Sequence, residues 1–265
     1  MVTLLDHGYL KVIPEGCWGS DQLIIESARM STDKGFQGWG PLPCPTCGGE
    51  GEYITHTARS VSPMFTGGVT LTPCIKCHGS GEVPGDEKLL TYLYRKQHMT
   101  PFEMAGATIE VQAPIFVFRE WQRHRTQSFS ELSARYTELP DLFYVPSLER
   151  LQKGGQDWVN KQSSGAGIHP NAAKHLQRRI ARSYEESRSE YDRLLKDGLS
   201  RELARMVIPV AQYSRMRASA NLRNWLGFLE LRQAEGAQWE IRQFANALHQ
   251  ELKARFPRTM ELFDE

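Results

Sequence analysis

The sequence predicts an α+β fold, mostly helical with a small antiparallel sheet, into which a zinc-knuckle module is inserted. Three observations carry that expectation. Helical periodicity is sustained from Pro170 to about Lys196, residues 107–113 alternate with period two, and glycine, proline and cysteine dominate between Gly35 and Gly85. Residues 1–34 and 86–265 are therefore expected to form one body, and 35–85 an inserted module.

Taken in order, residues 1–15 alternate enough (Leu4, Leu5, Tyr9, Leu10, Val12, Ile13) for one or two strands. Ser20 reads as the cap of a helix with Leu23, Ile24, Ala28 and Met30 on one face. Asp86 reads as the cap of a second, carrying Leu89, Leu90, Leu93 and Tyr94. Ile109, Val111 and Ala113 share one face of a strand, and Pro114 suits the first turn of a helix expected over 115–127. A polar, glycine-rich loop is expected over 153–169. In the long helix that follows, Leu176, Ile180, Tyr184, Ser187, Tyr191 and Leu194 fall in register, with Gly198 beyond its end. Ser200 caps a short helix ended by Pro209, and helices are expected over 221–232 and 238–256.

The chain has 265 residues, is 40% hydrophobic, and balances 32 basic against 31 acidic residues. That balance gives no global reason for a nucleic-acid polymer or an anionic membrane as partner. The N-terminal MVTLLDHGYLKVIPEG lacks a signal architecture, and no apolar run approaches the roughly 18 residues that span a bilayer. A soluble, cytoplasmic protein is the expectation. Cysteine usage agrees, since four of the five cysteines fall in two Cys-x-x-Cys pairs.

Those pairs, Cys44-Pro-Thr-Cys47 and Cys74-Ile-Lys-Cys77, each continue as x-Gly-x-Gly. A thiolate pair at this spacing folds into a knuckle whose amides point at the sulfurs, and two knuckles supply the four soft ligands of a structural Zn²⁺. Four thiolates leave no open position, so catalytic zinc is not expected. So few apolar residues make metal binding the source of folding energy.

The segment 119–136 crowds Arg123, Arg125 and Arg135 among Ser128, Ser130 and Ser133. Guanidinium forks with hydroxyls suit phosphate and carboxylate. Phe116, Phe118 and Trp121 fall on the same expected helix, which suggests burial of the arginines against anionic partners.

Arg123-His124-Arg125, then seven residues, then Ser133 resembles the signature of the flavin-dependent thymidylate synthases, the ThyX family. Further matches extend the resemblance: His98-Met-Thr-Pro-Phe-Glu103, Arg201-Glu-Leu-Ala-Arg205, Asn221-Leu-Arg223 through Leu231-Arg232, and Ala237-Gln-Trp-Glu-Ile241. It covers most of residues 1–34 and 86–260, leaving the cysteine module as an addition.

The resemblance implies FAD-dependent transfer of a one-carbon unit from methylenetetrahydrofolate to C5 of dUMP, giving dTMP, with NADPH reducing the flavin. It places Glu120, Arg123, Glu131, Ser133, Arg135, Arg205, Leu231 and Arg232 around the nucleotide, with Ser133 and Arg135 at the 5′-phosphate and Arg205 and Arg232 at the base. It places His98, Thr100, Arg123, His124, Arg125, Glu131, Asn221, Arg223 and Gly227 around FAD, with His98 and Tyr136 where folate or nicotinamide would stack. It implies a homotetramer with shared active sites. Arg232 is the expected catalytic group, stabilising an anionic pyrimidine. Cys17, in a glycine-flanked turn, is the one cysteine outside the pairs, so a thiol nucleophile has no candidate.

Three positions depart from the family pattern: Glu120 where glutamine is frequent, Ser130 where asparagine is frequent, and Gly227 where a polar flavin contact is frequent. Glu120 keeps dCMP, or hydroxymethyl transfer, as an alternative. A non-catalytic nucleotide- or nucleic-acid-binding relative is the other: Arg59, Lys76 and His78 favour a reader module, while Glu50, Glu52, Glu82, Asp86 and Glu87 oppose it.

Overall fold

The computed structural model describes residues 1–56, 69–157 and 164–265. Arg59 and part of the loop expected over 153–169 lie outside them. Strands β1 (Val2–Leu4) and β2 (Gly8–Trp18) precede helix α1 (Asp21–Arg29). The cysteine-rich segment holds β3 (Leu42–Pro43), β4 (Glu52–His56), β5 (Val69–Pro73) and β6 (Glu82–Val83). Next come α2 (Glu87–Arg95), a 3-10 turn at Thr100–Met104, β7 (Gly106–Pro114), α3 (Ile115–Trp121) and β8 (Ser128–Glu131). Then follow α4 (Leu148–Gln152), β9 (Gly155–Gln156), β10 (Ser164–Ala166) and the long α5 (Pro170–Lys196). The chain closes with α6 (Arg201–Ala204), β11 (Tyr213–Asn221), α7 (Leu222–Gln233), α8 (Trp239–Arg255) and α9 (Pro257–Asp264).

The main sheet has the order β1-β2-β7-β11-β8, and each pairing is antiparallel. Ala107, Ile109, Val111 and Ala113 of β7, Met216 and Ala218 of β11 and Leu10 of β2 are essentially buried. They share one core with Trp121, Trp225, Phe228, Phe244 and Leu248 of α3, α7 and α8. Each such large apolar side chain contributes roughly 1.5–3 kcal/mol by leaving water. The other sheet face is polar: the Tyr9 hydroxyl donates to Glu110 at 2.9 Å and Thr108 donates to Ser219 at 2.8 Å.

The two ends of the chain are tied by Asp21. Its buried carboxylate accepts from the Arg258 and Thr259 amides and from the Thr259 hydroxyl, at the start of α9. Ser20 caps α1 as expected, accepting from the Leu23 amide at 3.2 Å.

Several expectations need correction. The helix expected over 115–127 stops at Trp121, because the chain reverses to lay β8 beside β11; the Trp121 indole donates to Gln127 at 3.1 Å across that turn. Strand β11 is absent from the sequence reading. Its alanines, arginines and methionine favour helix intrinsically, and pairing with both β7 and β8 overrides that preference. Asp86 stands at the cap of α2, but its fully buried carboxylate does not cap it. It accepts instead from Arg29 and from the Gln37 and Gly38 amides. Ser200 makes no side-chain cap bond. Cys17 lies within the irregular end of β2 rather than a turn, and its Sγ donates to Ile13 O at 3.2 Å.

Candidate active site and cysteine cluster

Helix α3 delivers the arginine-rich signature to the end of the sheet. Phe228, one turn before Arg232 on α7, stacks on Trp121 with ring centroids 4.6 Å apart, which fixes α3 against α7. The His124 ring packs edge-on against the same phenyl at 4.8 Å. Burial, and then the charge of Arg232, lower the His124 pKa to about 4, so the ring is neutral at pH 7.

Arg232 is consequently held from three directions. Its Nε donates to His124 Nε2 at 2.9 Å, its Nη1 to the Glu120 carboxylate at 3.2 Å, and its Nη2 to the Glu120 carbonyl at 3.1 Å. The His124 ring accepts at Nε2, so its proton sits on Nδ1.

Helix α3, the segment after β8 and the turn after α6 enclose a cavity of about 540 Å³, whose lining includes none of Glu120, His124 and Arg232. Glu131, Ser133 and Arg205 line it, joined by Arg119, Gln122 and Ser214. Gln122 donates to Glu131 at 3.1 Å. The Ser214 hydroxyl is buried and has no hydrogen-bond partner among the described residues. Arg135 lies at the rim, its amide 3.3 Å from the Ser133 hydroxyl and its guanidinium 3.6 Å from Glu202.

The remaining predicted residues form an exposed ledge. Asn221 caps α7 by accepting from the Asn224 amide at 3.0 Å, and Arg223 pairs with Glu103. Thr100 and His98 are exposed, and His98 packs edge-on against Tyr92 at 5.6 Å. A Cβ at Gly227 would meet nothing within 4 Å. Leu231 is 61% and Tyr136 81% exposed.

Arg123 and Arg125 are exposed, contrary to the expected burial, and no side-chain partner holds them among the described residues. Their charges stand in solvent beside the ledge of α7, where Asn224 donates to Thr126 O at 3.0 Å.

The four paired cysteines converge. Their sulfurs lie within 4.8 Å of one another, with Cys44–Cys74 and Cys47–Cys77 both at 3.7 Å. A tetrahedron of sulfurs about 2.3 Å from zinc has edges of about 3.8 Å, so the donor set fits that ion. The knuckles are reciprocal: Cys44 N donates to Gly81 O and Cys74 N to Gly51 O, both at 2.8 Å. The Gly51 amide points at Cys47 Sγ and the Gly81 amide at Cys77 Sγ, both at 3.3 Å. Burial raises the Cys44 thiol, but hydrogen bonds from the Thr46 and Cys47 amides and from the Cys74 and Cys47 thiols together bring the pKa down to about 6.

A family model described as "Thymidylate synthase complementing protein" matches residues 17–258. A protein of Thermus thermophilus named flavin-dependent thymidylate synthase is 41% identical over 264 residues, covering 100% of this chain and 78% of its own. The chain belongs to this family.

A second flavin-dependent thymidylate synthase, from Wolbachia pipientis, is 31% identical over 99% of this chain and 75% of its own. The fold is shared with a UMP/dUMP methylase, PolB from Streptomyces cacaoi, solved with 5-Br dUMP. That structure superposes with a TM-score of 0.72 at 29% identity, covering 99% of this chain and 97% of that one. Among the described residues no helix is long and apolar enough to cross a membrane.

Relative to this thymidylate synthase frame, sequence reasoning left out Arg119 and Ser214, both of which line the cavity. Arg119 was visible one residue before Glu120. Ser214 was hidden with β11, although the alternation of Ser214, Met216, Ala218 and Ala220 with Arg215, Arg217 and Ser219 was there to be seen.

Proposed function

We propose that the chain methylates C5 of dUMP, using methylenetetrahydrofolate as carbon donor, FAD as redox cofactor and NADPH as reductant. The observation that carries this reading is Arg232: a guanidinium mostly shielded from solvent and pinned by a neutral histidine and a carboxylate, while the same helix α3 turns Arg119 into a cavity that also bears Arg205 and Ser133. Family membership and the dUMP methylase neighbour support the substrate. No thiol stands among the cavity-lining residues, and Cys17 is tied to Ile13 O. Activation of C5 therefore rests on charge.

In this reading Arg205, Ser133 and Arg135 anchor the nucleotide, with Leu231 beside it. Arg232 stabilises the pyrimidine as it loses its N3 proton, which raises electron density at C5. Exposed Arg123 and Arg125, with His124, Asn221, Arg223, Thr100, His98 and Glu131, suit the diphosphate and rings of FAD. The open space over Gly227 leaves room for it. Reduced FAD, when bound, would supply the electron pair that converts the transferred methylene to a methyl group. The exposure of these arginines fits sites completed by other copies of the chain, in a homotetramer. Residues 35–85 act as a structural module holding one Zn²⁺ at Cys44, Cys47, Cys74 and Cys77, distinct from the catalytic body of 1–34 and 86–265. A cytoplasmic location follows from substrates of this kind.

Incubation of the flavin-loaded protein with dUMP, methylenetetrahydrofolate and NADPH, followed by mass analysis of the nucleotide, tests the reading. A gain of one methylene unit (CH2) in mass is expected. An unchanged nucleotide would overturn it, and a hydroxymethyl product would correct it.

A further inference from the structure

Arg232 does not stand free to meet a base. Glu120 accepts from both terminal nitrogens of its guanidinium, once through the carboxylate and once through the backbone carbonyl. The pair is largely shielded, at 19% exposure for the Arg232 side chain and 28% for Glu120. Two anions therefore compete for one cation when a pyrimidine is deprotonated against Arg232: the Glu120 carboxylate already present, and the base.

The surroundings do not relieve that competition. His124, from the turn after α3, is neutral and contributes no charge. Glu240, from α8, adds a second carboxylate charge that Glu120 feels, but it is engaged by Arg150 at 2.8 Å and by the Tyr144 hydroxyl at 3.0 Å. Burial pushes the Glu120 carboxyl above its usual range, Arg232 pulls it back, and Glu240 raises it again.

We propose that Glu120 sets the acidity of the bound pyrimidine: it positions Arg232 and, as a like charge beside the base, restrains loss of the N3 proton. This rests on the role given to Arg232 above. Glu120 is then a positioning residue whose charge, more than its shape, tunes the reaction. A like charge this close raises an acid's pKa by about one pH unit or more. Neutralising Glu120 without moving Arg232 should reverse that.

Bound 5-bromo-dUMP provides the readout, because its N3 ionisation changes its ultraviolet absorbance and needs no turnover. The holoprotein and its Glu120→Gln and Glu120→Asp variants would be titrated with this analogue in place. The glutamine oxygen still accepts from Arg232, so the N3 titration should fall by about one pH unit. Glu120→Asp keeps the charge and should titrate close to the original protein. The acid limb of kcat with dUMP should shift in the same direction as the glutamine titration. Glu120→Ala, equally neutral, replaces the glutamine variant if that one fails to fold. An unchanged N3 titration in a neutral variant that still binds the analogue would overturn the inference, as would equal shifts in the neutral and aspartate variants. Failure of the original protein to bind 5-bromo-dUMP would instead overturn the nucleotide reading beneath it.

Discussion

His124 illustrates how a single side chain is fixed by its neighbours. Its ring is wedged between Phe228 and Arg232 and accepts a hydrogen bond only while Nε2 is unprotonated. A histidine whose folded pKa is depressed to about 4, against 6.5 unfolded, supports stability above pH 6.5 and withdraws that support as pH falls toward 4. Thermal melts of His124→Gln and the unaltered protein across that window should therefore converge on acidification, the variant losing less. Divergence would show the ring to be charged in the folded state. Arg232→Ala should lower kcat by at least about 10²-fold, as for loss of one preorganised donor, and Arg232→Lys should recover only part, lacking the planar fork. Steady-state kinetics decide this, since a change confined to KM would move the activating role to Arg205. Ser214→Ala removes a buried hydroxyl with no partner among the described residues, so the melting temperature should hold or rise. If that hydroxyl serves the nucleotide, dUMP KM should rise several-fold; an unchanged KM would leave Ser214 outside the site.

At the scale of elements, legibility followed periodicity. The helix at Pro170–Lys196 and the strand around 107–113 could be read because their apolar spacing matches one regular period over several turns or pleats. Strand β11 alternates too, but its signal is weak, because Ser214, Ala218 and Ala220 on its buried face are small and its other face carries arginine and serine. The signature residues were legible as chemistry but not as geometry. That α3 ends at Trp121, and that Arg232 is met by Glu120, depend on the stacking of α3 on α7, which no local pattern encodes. The convergence of the four cysteines was legible, since Cys-x-x-Cys-x-Gly-x-Gly states both the clustered thiols and the turns. Gly81 sits at φ +78°, and a Cβ there would come within 2.2 Å of Gly49 O; Gly51 faces Gly79 O in the same way at 2.4 Å. Gly81→Ala should keep the two knuckles apart and lower the zinc content per chain, measured by metal analysis, while flavin uptake persists. Full metal occupancy in that variant would mean the knuckles need not interlock.

Across the whole molecule, residues 36–40, at the start of the cysteine-rich segment, are held both by Phe36 and Trp39 packed against the main core and by charges at the start of α2. Asp86 holds the Gln37 and Gly38 amides, and Glu87 accepts from the Gly40 amide at 2.6 Å and from Arg258 at 2.8 Å. Arg258 also lies 4.3 Å from the Trp39 ring. His98 and Thr100, proposed above to face the flavin, follow α2 directly. Chelation of zinc should unfold the module yet leave flavin content and turnover in place, because these clamps lie outside the cysteine cluster. Absorbance at flavin wavelengths and size-exclusion chromatography would check it, and loss of assembly on chelation would assign the module to subunit contacts.

The hydrogen bond from the Asp86 amide to Gly38 O, at 2.9 Å, has a practical meaning for gene design. The chain leaves the body and re-enters it at one point, so everything between is a closed detour. Splicing residue 38 to residue 86 through a short flexible bridge asks no strand or helix of the body to stretch. The same junction is a port: another compact domain whose termini lie close together fits there without disturbing the sheet. A shortened gene of this kind, still yielding a yellow protein, would turn the cysteine-rich detour into an exchangeable cassette.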